Sequence, residues 1–186
     1  MAEEADVVLL FMGLSPRLEG EEMPVHVKGF SGGDRVRIDL PDLQQDFIKK
    51  IAAIGKPTVL VMLNGSAVSI NWEDANLPAI LEAWYPGQAG GAAIADVLFG
   101  DYNPAGRLPL TFYKDVGDIP GFENYDMDAF TYRYFDGEVL NPFGYGLSYT
   151  EFEYSDLSLN DDEISASSDQ DIKIEVQIKN ERERAG

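Results

Sequence analysis

Two uninterrupted runs of apolar side chains, at residues 7–12 and, directly after Thr58, at residues 59–63, are the strongest signal in the hydrophobic pattern of the chain. The first run stops at Gly13 and the second at Asn64. Continuous apolar runs of this length are typical of strands that are buried on both faces of a parallel sheet. The pattern therefore predicts two such strands.

Between these runs, residues 40–55 repeat apolar side chains at helical spacing. The apolar face consists of Leu43, Phe47, Ile51 and Ile54. Pro41 suits the first position of a helix, and Gly55 suits its C-cap because glycine adopts the backbone conformation that ends helices. The segment is predicted to be helical, and strand, helix and strand together predict a βαβ unit.

The alternation of helices and strands continues to about residue 100. Residues 72–77 are helix-like, residues 79–84 form a shorter apolar strand pattern, and residues 90–99 combine helical spacing with small side chains at the start. Repeated alternation predicts an α/β fold, an open α/β sandwich in which right-handed crossovers connect the strands.

The pattern changes after about residue 106. Residues up to 149 are rich in Tyr, Phe, Pro and Gly with little periodicity, which predicts ordered coil. Within them, residues 131–135 alternate in a strand-like way. We favour a buried edge strand with structural aromatic side chains over a sugar platform. The alternating apolar positions at residues 172–178 predict a half-buried strand. We expect this last β segment to be truncated, since two or three strands rarely form a stable sheet.

Charge and composition narrow the function classes. The 186 residues include 33 Asp and Glu against 14 Lys and Arg, for a formal net charge of −19, which argues against a nucleic-acid partner. The absence of cysteine excludes disulfides, thiolate metal sites and cysteine nucleophiles. No apolar run approaches the roughly 20 residues of a transmembrane helix, so we expect no membrane partner. The compartment stays open, and a secreted or periplasmic location is compatible with the sequence.

A cluster of carboxylates in the loop after the first strand is the main candidate for chemistry. Glu19, Glu21 and Glu22 fall within four positions. Neighbouring carboxylates raise one another's pKa, so one of them can stay protonated and act as a general acid. An ordinary solvated acidic loop would show the same spacing. Its place after a parallel strand favours function, because ligands bind at that edge of such sheets.

Other candidates are weaker. Asp34 and Arg35 follow two glycines, and a structural Asp–Arg pair that holds the loop is a simpler interpretation than an anion-binding turn. His26 is the only histidine and Ser66 lacks the G-x-S-x-G context of a nucleophile, which disfavours a serine triad. Only oxygen ligands remain for a metal, and no calcium-loop motif is present. We predict neither a metal nor a cofactor.

Short motifs spread along the chain carry a resemblance to a known family. They are Gly13-Leu14 with Leu18-Glu-Gly-Glu21, Gly33-Asp-Arg35, Leu40-Pro41 with Gln44, Gly55-Lys-Pro57, Ala83-Trp-Tyr-Pro-Gly-Gln-Ala-Gly-Gly91, Asp96-Val-Leu-Phe-Gly-Asp101, Asn103-Pro-Ala-Gly-Arg-Leu-Pro109, Thr131-Tyr-Arg-Tyr-Phe135 and Pro142-Phe-Gly-Tyr-Gly-Leu-Ser-Tyr-Thr150. In this order they resemble the C-terminal α/β-sandwich domain of glycoside hydrolase family 3, the β-glucosidases and β-xylosidases. The resemblance implies such a domain at residues 1–151, incomplete at its N-terminus, and the truncated start of a fibronectin type III-like domain at residues 152–186.

The resemblance also implies a mechanism. Family members are retaining enzymes with a nucleophilic Asp on an N-terminal (β/α)₈ barrel and an acid/base Glu on the sandwich domain. Glu21 matches the position of that acid/base, Glu19 that of a supporting carboxylate, and Glu22 is a solvated neighbour. Because residues 22–30 form an insertion before Asp34, Glu19 and Glu22 remain alternatives in register.

The implied substrate is a terminal β-linked glycoside of an oligosaccharide or an aryl group, with a weak preference for β-xylosides over β-glucosides. The implied partner is the N-terminal barrel, and the fragment alone is predicted to be inactive. Two other hypotheses remain. A structural or partner-binding module of the same ancestry would use no carboxylate catalytically. A nucleotide-binding α/β domain is disfavoured because the chain lacks the glycine fingerprint.

Overall fold

The computed structural model describes residues 1–20, 23–163, 165, 169 and 171–186. The chain divides into two compact units. The first consists of Met1–Ile94 with Arg107–Tyr145, and the second of Ala95–Gly106 with Gly146–Gly186. The strands are β1 (Val8–Gly13), β2 (Phe30–Ser31), β3 (Asp34–Arg35), β4 (Thr58–Leu63), β5 (Ala79–Glu82), β6 (Phe112–Tyr113), β7 (Val139–Asn141), β8 (Phe152–Leu159) and β9 (Ile174–Asn180). The α-helices are α1 (Pro16–Glu19), α2 (Asp42–Ala52), α3 (Asn71–Asn76), α4 (Gly90–Phe99) and α5 (Thr131–Tyr134), and short 3₁₀ helices occur at Ala2–Glu4 and Val116–Asp118.

A three-stranded parallel sheet in the order β1-β4-β5 forms the centre of the first unit. Val8 pairs with Thr58 and Gly13 with Leu63 along β1 and β4, while β5 pairs with β4 from Ala79 onwards. Because α2 connects β1 to β4 and α3 connects β4 to β5, the predicted βαβ unit and the α/β class are confirmed.

The core of this unit lies between the sheet and α2. Ile48 of α2 is fully buried against side chains of the central strand. The buried members of the core are Leu10, Leu14, Leu40, Ile48, Leu60, Met62, Val68, Ile70 and Leu77. Burial on both faces is correct for β4, where Leu60 and Val61 are both fully buried. It is wrong for β1, whose Leu9 and Phe11 remain 42% and 50% exposed, because β1 is an edge strand and α2 covers only its other face.

The helix ends follow the predicted signals with small shifts. Pro41 occupies the N-cap of α2 rather than its first turn, and Ala53 is the C-cap. Gly55 follows in the left-handed region with φ of 80°, as expected for a glycine just beyond a helix. In the part of the chain that the structure describes, no helix combines the length and the apolar character that crossing a membrane requires.

The aromatic segment of the first unit is mostly irregular, as predicted, apart from the antiparallel pair β6–β7. The prediction of an edge strand at residues 131–135 is wrong, since Thr131–Tyr134 forms the single helical turn α5. Tyr132 stacks on Phe143 with ring centroids 4.4 Å apart, and Arg133 lies over the Tyr132 ring. A helical turn brings Arg133 and Phe143 to the same ring, whereas alternation along a strand would separate neighbouring side chains.

The second unit contains an antiparallel hairpin of β8 and β9 with a register irregularity between Ser155 and Ser158. The strand predicted from alternation is present as β9. Its predicted half-burial is wrong, because Ile174, Val176 and Ile178 are 65%, 45% and 54% exposed. Two strands form one layer, and within the described residues of this unit no second layer covers that face.

Candidate active site

The three parallel strands of the first unit end at one edge of the sheet. β1 continues into α1, β4 into residues 64–66, and β5 into residues 83–85. Loops at the carboxyl ends of parallel strands are the usual ligand-binding edge of α/β folds. The hydrogen bonds between these loops define the candidate site.

The start of the first loop is fixed by Gly13 and Gln44. Gly13 has φ of 136°, and a Cβ atom there would lie 2.1 Å from the carbonyl oxygen of Leu63, so only glycine fits. The side-chain amide of Gln44 bonds both backbone groups of Gly13, accepting from its N–H at 2.9 Å and donating to its carbonyl at 2.7 Å. The direction in which the chain leaves β1 is therefore set by α2.

The short helix α1 carries Glu19 to the edge of the sheet. Ser15 caps the helix by accepting a hydrogen bond from the backbone N–H of Leu18 at 3.2 Å, and Pro16 occupies the first turn, where its missing N–H costs nothing. Gly20 ends the turn with φ of 28°. Glu19 is consequently the last residue of a capped turn rather than part of a free loop.

Both carboxyl oxygens of Glu19 accept hydrogen bonds from the other two loops. Ser66 Oγ donates to Oε1 at 2.7 Å, and the hydroxyl of Tyr85 donates to Oε2. Burial raises the pKa of Tyr85, and the adjacent negative charge of Glu19 raises it further, so the phenol stays protonated and remains a donor. The structure thus brings one member of the predicted carboxylate cluster into a hydrogen-bonded site.

Arg35 completes this cluster from the β2–β3 hairpin. Its Nη1 donates to Ser66 Oγ at 2.8 Å and to the Ala67 carbonyl at 3.0 Å, and its Nε donates to the Arg37 carbonyl. Burial lowers the pKa of Arg35, an effect that the charge of Glu19 partly offsets. The predicted structural pair of Arg35 with Asp34 is therefore wrong. Arg35 instead holds its hairpin against the loop that follows β4.

Gly65 allows the loops to approach each other closely. A Cβ atom at this position would lie 2.7 Å from the Tyr85 ring and 3.1 Å from Oε2 of Glu19. Real Cβ atoms are not found as close to a neighbour as the first of these distances. The contact between Tyr85 and Glu19 therefore depends on the missing side chain of Gly65.

A second carboxyl, Glu82, lies at the end of β5. Its Oε1 accepts from the backbone N–H of Trp84 at 3.0 Å, and its Oε2 accepts from Nδ2 of the fully buried Asn64 at 3.2 Å. Burial raises the pKa of Glu82 to about 7, although these two hydrogen bonds act in the opposite direction. The charge of Glu82 therefore changes near neutral pH.

The other predicted candidates fall in different places. Glu21 and Glu22 lie outside the described residues. His26 is exposed in the loop before β2. The Tyr132 ring stacks on Phe143 and lies under the guanidinium of Arg133, both within the protein.

Sequence reasoning assigned no role to Ser66, Tyr85, Asn64 or Glu82. The sequence does contain a signal for three of them. Asn64 and Ser66 follow a predicted buried strand, and Tyr85 belongs to the Tyr-Pro-Gly-Gln motif. The sequence presents Ser66 only as a weak nucleophile candidate, whereas in the structure it donates a hydrogen bond to a carboxylate. For the residues that the structure describes, no group of three or more His, Cys, Asp or Glu side chains has an arrangement that could hold a metal ion.

The comparisons with known proteins identify the family. The model of the glycosyl hydrolase family 3 C-terminal domain matches residues 1–149. A xylan 1,4-beta-xylosidase from Xylanibacter ruminicola is 53% identical over 152 residues, which cover 82% of this chain and 18% of the xylosidase. A periplasmic beta-glucosidase from Salmonella typhimurium is 39% identical over 196 residues, which cover 99% of this chain and 24% of the glucosidase.

Solved structures agree with this match. A β-glucosidase from Erythrobacter marinus has a TM-score of 0.78 and 36% identity, covering 100% of this chain and 24% of that enzyme. A β-glucosidase from Kluyveromyces marxianus in complex with glucose has a TM-score of 0.77 and 34% identity, covering 96% of this chain and 21% of that enzyme. The chain spans less than a quarter of the length of each of these solved enzymes. From the family match and the shared fold, the chain belongs to glycosyl hydrolase family 3, in which it corresponds to the C-terminal domain.

Proposed function

We propose that this chain supplies the general acid/base to a retaining β-glycosidase. The names of the relatives support hydrolysis of glycosides, since they include beta-xylosidases and beta-glucosidases. The observation that carries the proposal is the fixed carboxylate of Glu19, held by Ser66 and Tyr85 at the ligand-binding edge of the sheet. Glu21 stands two positions further along the sequence.

In this proposal Glu21 is the acid/base and Glu19 the supporting carboxylate. Both oxygens of Glu19 already accept hydrogen bonds from protein donors, so neither is available to protonate a leaving group. Glu19 instead anchors the loop. Glu22 has no catalytic role in this proposal, and Glu19 and Glu22 stand as the alternatives against which Glu21 is tested.

The reaction needs two carboxylates about 5–5.5 Å apart. A nucleophilic Asp on the N-terminal (β/α)₈ barrel attacks the anomeric carbon while the neutral acid of Glu21 protonates the departing glycosidic oxygen. The Glu21 carboxylate then takes a proton from the water that hydrolyses the glycosyl-enzyme intermediate. The substrate is a terminal β-D-xyloside or β-D-glucoside. Since the nucleophile is on the barrel, the isolated chain is expected to be inactive.

The domain arrangement is part of the proposal. Residues 1–151 form the α/β-sandwich domain, and residues 152–186 the start of a fibronectin type III-like domain. The β8–β9 hairpin, with its uncovered apolar positions on β9, supports the second assignment, because such positions suit a β-sandwich in which another sheet packs on them.

A chimeric enzyme tests the function. Residues 1–149 replace the matching segment of the Xylanibacter ruminicola xylosidase, and hydrolysis of aryl β-xylosides and β-glucosides is measured. Glu21→Gln is expected to lower kcat about 10²- to 10⁴-fold for poor leaving groups. Activated aryl leaving groups need little protonation and are expected to lose less, and azide is expected to restore turnover to Glu21→Ala.

Glu22→Gln is the matched control and is expected to retain activity. If Glu19→Gln shows azide rescue and leaving-group dependence in place of Glu21→Gln, the acid/base assignment is wrong. If a folded chimera is inert while the parent xylosidase is active, the chain is a structural or partner-binding module of the same ancestry.

A further inference from the structure

Glu82 connects the two loops that hold Glu19. Its Oε1 is bonded to the backbone N–H of Trp84, the residue before Tyr85. Its Oε2 is bonded to Nδ2 of Asn64, and the same Nδ2 donates to the carbonyl of Ser66 at 2.9 Å. The Glu82 carboxyl group is thus bonded to the residue before Tyr85 and, through the side chain of Asn64, to the backbone of Ser66. It is therefore connected to both hydrogen-bond donors of Glu19.

The backbone around Glu82 shows why such a link is needed. Trp84 has φ of 53°, a left-handed conformation that a large side chain rarely adopts and that costs free energy. The hydrogen bond to Glu82 and the edge contact between the Trp84 ring and Phe112 oppose that cost. The turn at Trp84 directs Tyr85 back toward Glu19.

We propose that Glu82 is a positioning residue of the active site, whose carboxyl group fixes the β4 and β5 loops so that Ser66 and Tyr85 hold Glu19 in place. The inference rests on the proposed function, because Glu19 matters for turnover only if this edge of the sheet is an active site. Glu82 acts through other residues and is not itself placed against a substrate.

The protonation state of Glu82 changes the strength of this connection. An ionised carboxylate accepts stronger hydrogen bonds than a neutral acid but is less favourable in a buried position, so the contacts of Glu82 with Trp84 and Asn64 change as the pH passes about 7, the pKa to which burial raises this group. The neighbouring titratable groups of the site are Glu19, Arg35 and Tyr85. The pKa of Glu82 is set by burial and by its hydrogen bonds with Trp84 and Asn64, and not by these three groups.

A test that needs no catalysis uses the 186-residue chain itself. The backbone amide resonances of Trp84, Ser66 and Glu19 are followed by NMR from pH 5 to pH 9. We expect all three to move with one midpoint near pH 7 in the wild type, and the shared midpoint to disappear in Glu82→Gln. If Trp84 titrates while Ser66 and Glu19 do not, or if none has this midpoint, the proposal is wrong.

Glu73→Gln is the matched control. Glu73 is also buried, at 3% exposure, and burial raises its pKa, but it lies on α3 and lines a different cavity with Arg37 and Lys114. Its removal is expected to leave the titration of Trp84, Ser66 and Glu19 unchanged. Because the wild-type titration itself decides the outcome, a poorly folding Glu82→Gln variant does not prevent the test.

The chimeric enzyme provides the catalytic measurement. Glu82→Gln is expected to reduce kcat about ten- to a hundredfold, since misplacement by about 1 Å has effects of that size. KM is expected to change less, and a limb of the pH profile near 7 should be absent in the variant. If the NMR coupling is present but the folded chimera is inert, the proposed function fails while the positioning role of Glu82 in the loops stands. If the chimera is active and Glu82→Gln leaves kcat and its pH profile unchanged, the positioning role is wrong.

Discussion

The hydroxyl of Tyr85 donates a hydrogen bond to Oε2 of Glu19, across 66 positions of the sequence. Ser66 donates to the other oxygen, with Arg35 bonded behind Ser66. The carboxylate is therefore oriented by two uncharged donors from two different loops, while the guanidinium of Arg35 is hydrogen-bonded to one of these donors. Such an arrangement fixes the direction of a carboxylate more closely than one flexible ion pair would.

Removing either donor should weaken the fold of the site. Tyr85→Phe and Ser66→Ala are each expected to lower the free energy of unfolding by about 1 kcal/mol, because a hydrogen bond to a charged group is lost from a partly exposed position. Urea titration of the 186-residue chain measures both changes. Tyr125→Phe, at a ring that is 88% exposed, is the control and should change the free energy by less than about 0.5 kcal/mol. Equal effects of Tyr85→Phe and Tyr125→Phe would contradict the expectation.

Gly65→Ala should displace Tyr85 from Glu19. The added methyl group would lie 2.7 Å from the ring, so the ring must move and its hydrogen bond is expected to break. We expect a loss of about 1–3 kcal/mol in the free energy of unfolding, the usual cost of an overpacked position. Gly87→Ala provides the comparison, since nothing lies within 4 Å of the position that its methyl group would take. A Gly65→Ala variant as stable as Gly87→Ala would show that the loops are further apart in solution.

Adjacent glycines at the start of α4 should respond in opposite directions. A Cβ atom on Gly90 would lie 2.5 Å from Cβ of Pro86, whereas one on Gly91 meets nothing within 4 Å. Gly90→Ala is therefore expected to destabilise the chain, and Gly91→Ala to stabilise it by roughly 0.5–1 kcal/mol, because alanine loses less conformational entropy in a helix. Thermal unfolding of the two variants decides this, and shifts of the same sign would contradict it.

Stability should depend on pH through Glu82. Its pKa is about 7 in the folded chain against 4.5 for the ordinary group, so folding favours the protonated form. This contribution is fully present below pH 4.5 and is lost as the pH rises through 7. Relative to Glu82→Gln, the wild type should lose on the order of 3 kcal/mol between pH 4 and pH 8. Urea unfolding at a series of pH values measures the difference, and a difference independent of pH would show that Glu82 is not buried as described.

The regular part of the first unit could be predicted because its signals are local. The apolar runs before Gly13 and Asn64 and the helical spacing of residues 40–55 lie within single elements, and each element formed where the pattern indicated. The predicted buried face of α2 is wrong, because Ile48 is buried while Leu43 and Phe47 are 81% and 45% exposed. Burial could not be predicted as well. Phe11 is exposed because it lies on the uncovered face of an edge strand. Which elements pack against a strand cannot be inferred from the residues of that strand alone.

The site was predictable only in its location. A carboxylate cluster after the first strand could be assigned to the functional edge, and Glu19 lies there. Its partners could not be inferred because they come from other loops, and their roles depend on backbone geometry such as the left-handed turn at Trp84. Glu21, the proposed acid/base, lies outside the described residues and remains a prediction.

The spread of the site over three loops has a consequence for how the chain folds during synthesis. At typical translation rates, Tyr85 is made roughly 3–13 s after Glu19, and both parallel crossovers must form before the two can meet. Contacts between such distant positions form slowly compared with local ones. Glu19 therefore spends the early life of the nascent chain without its second donor, and the Tyr85–Glu19 bond is a marker that the sheet has been completed.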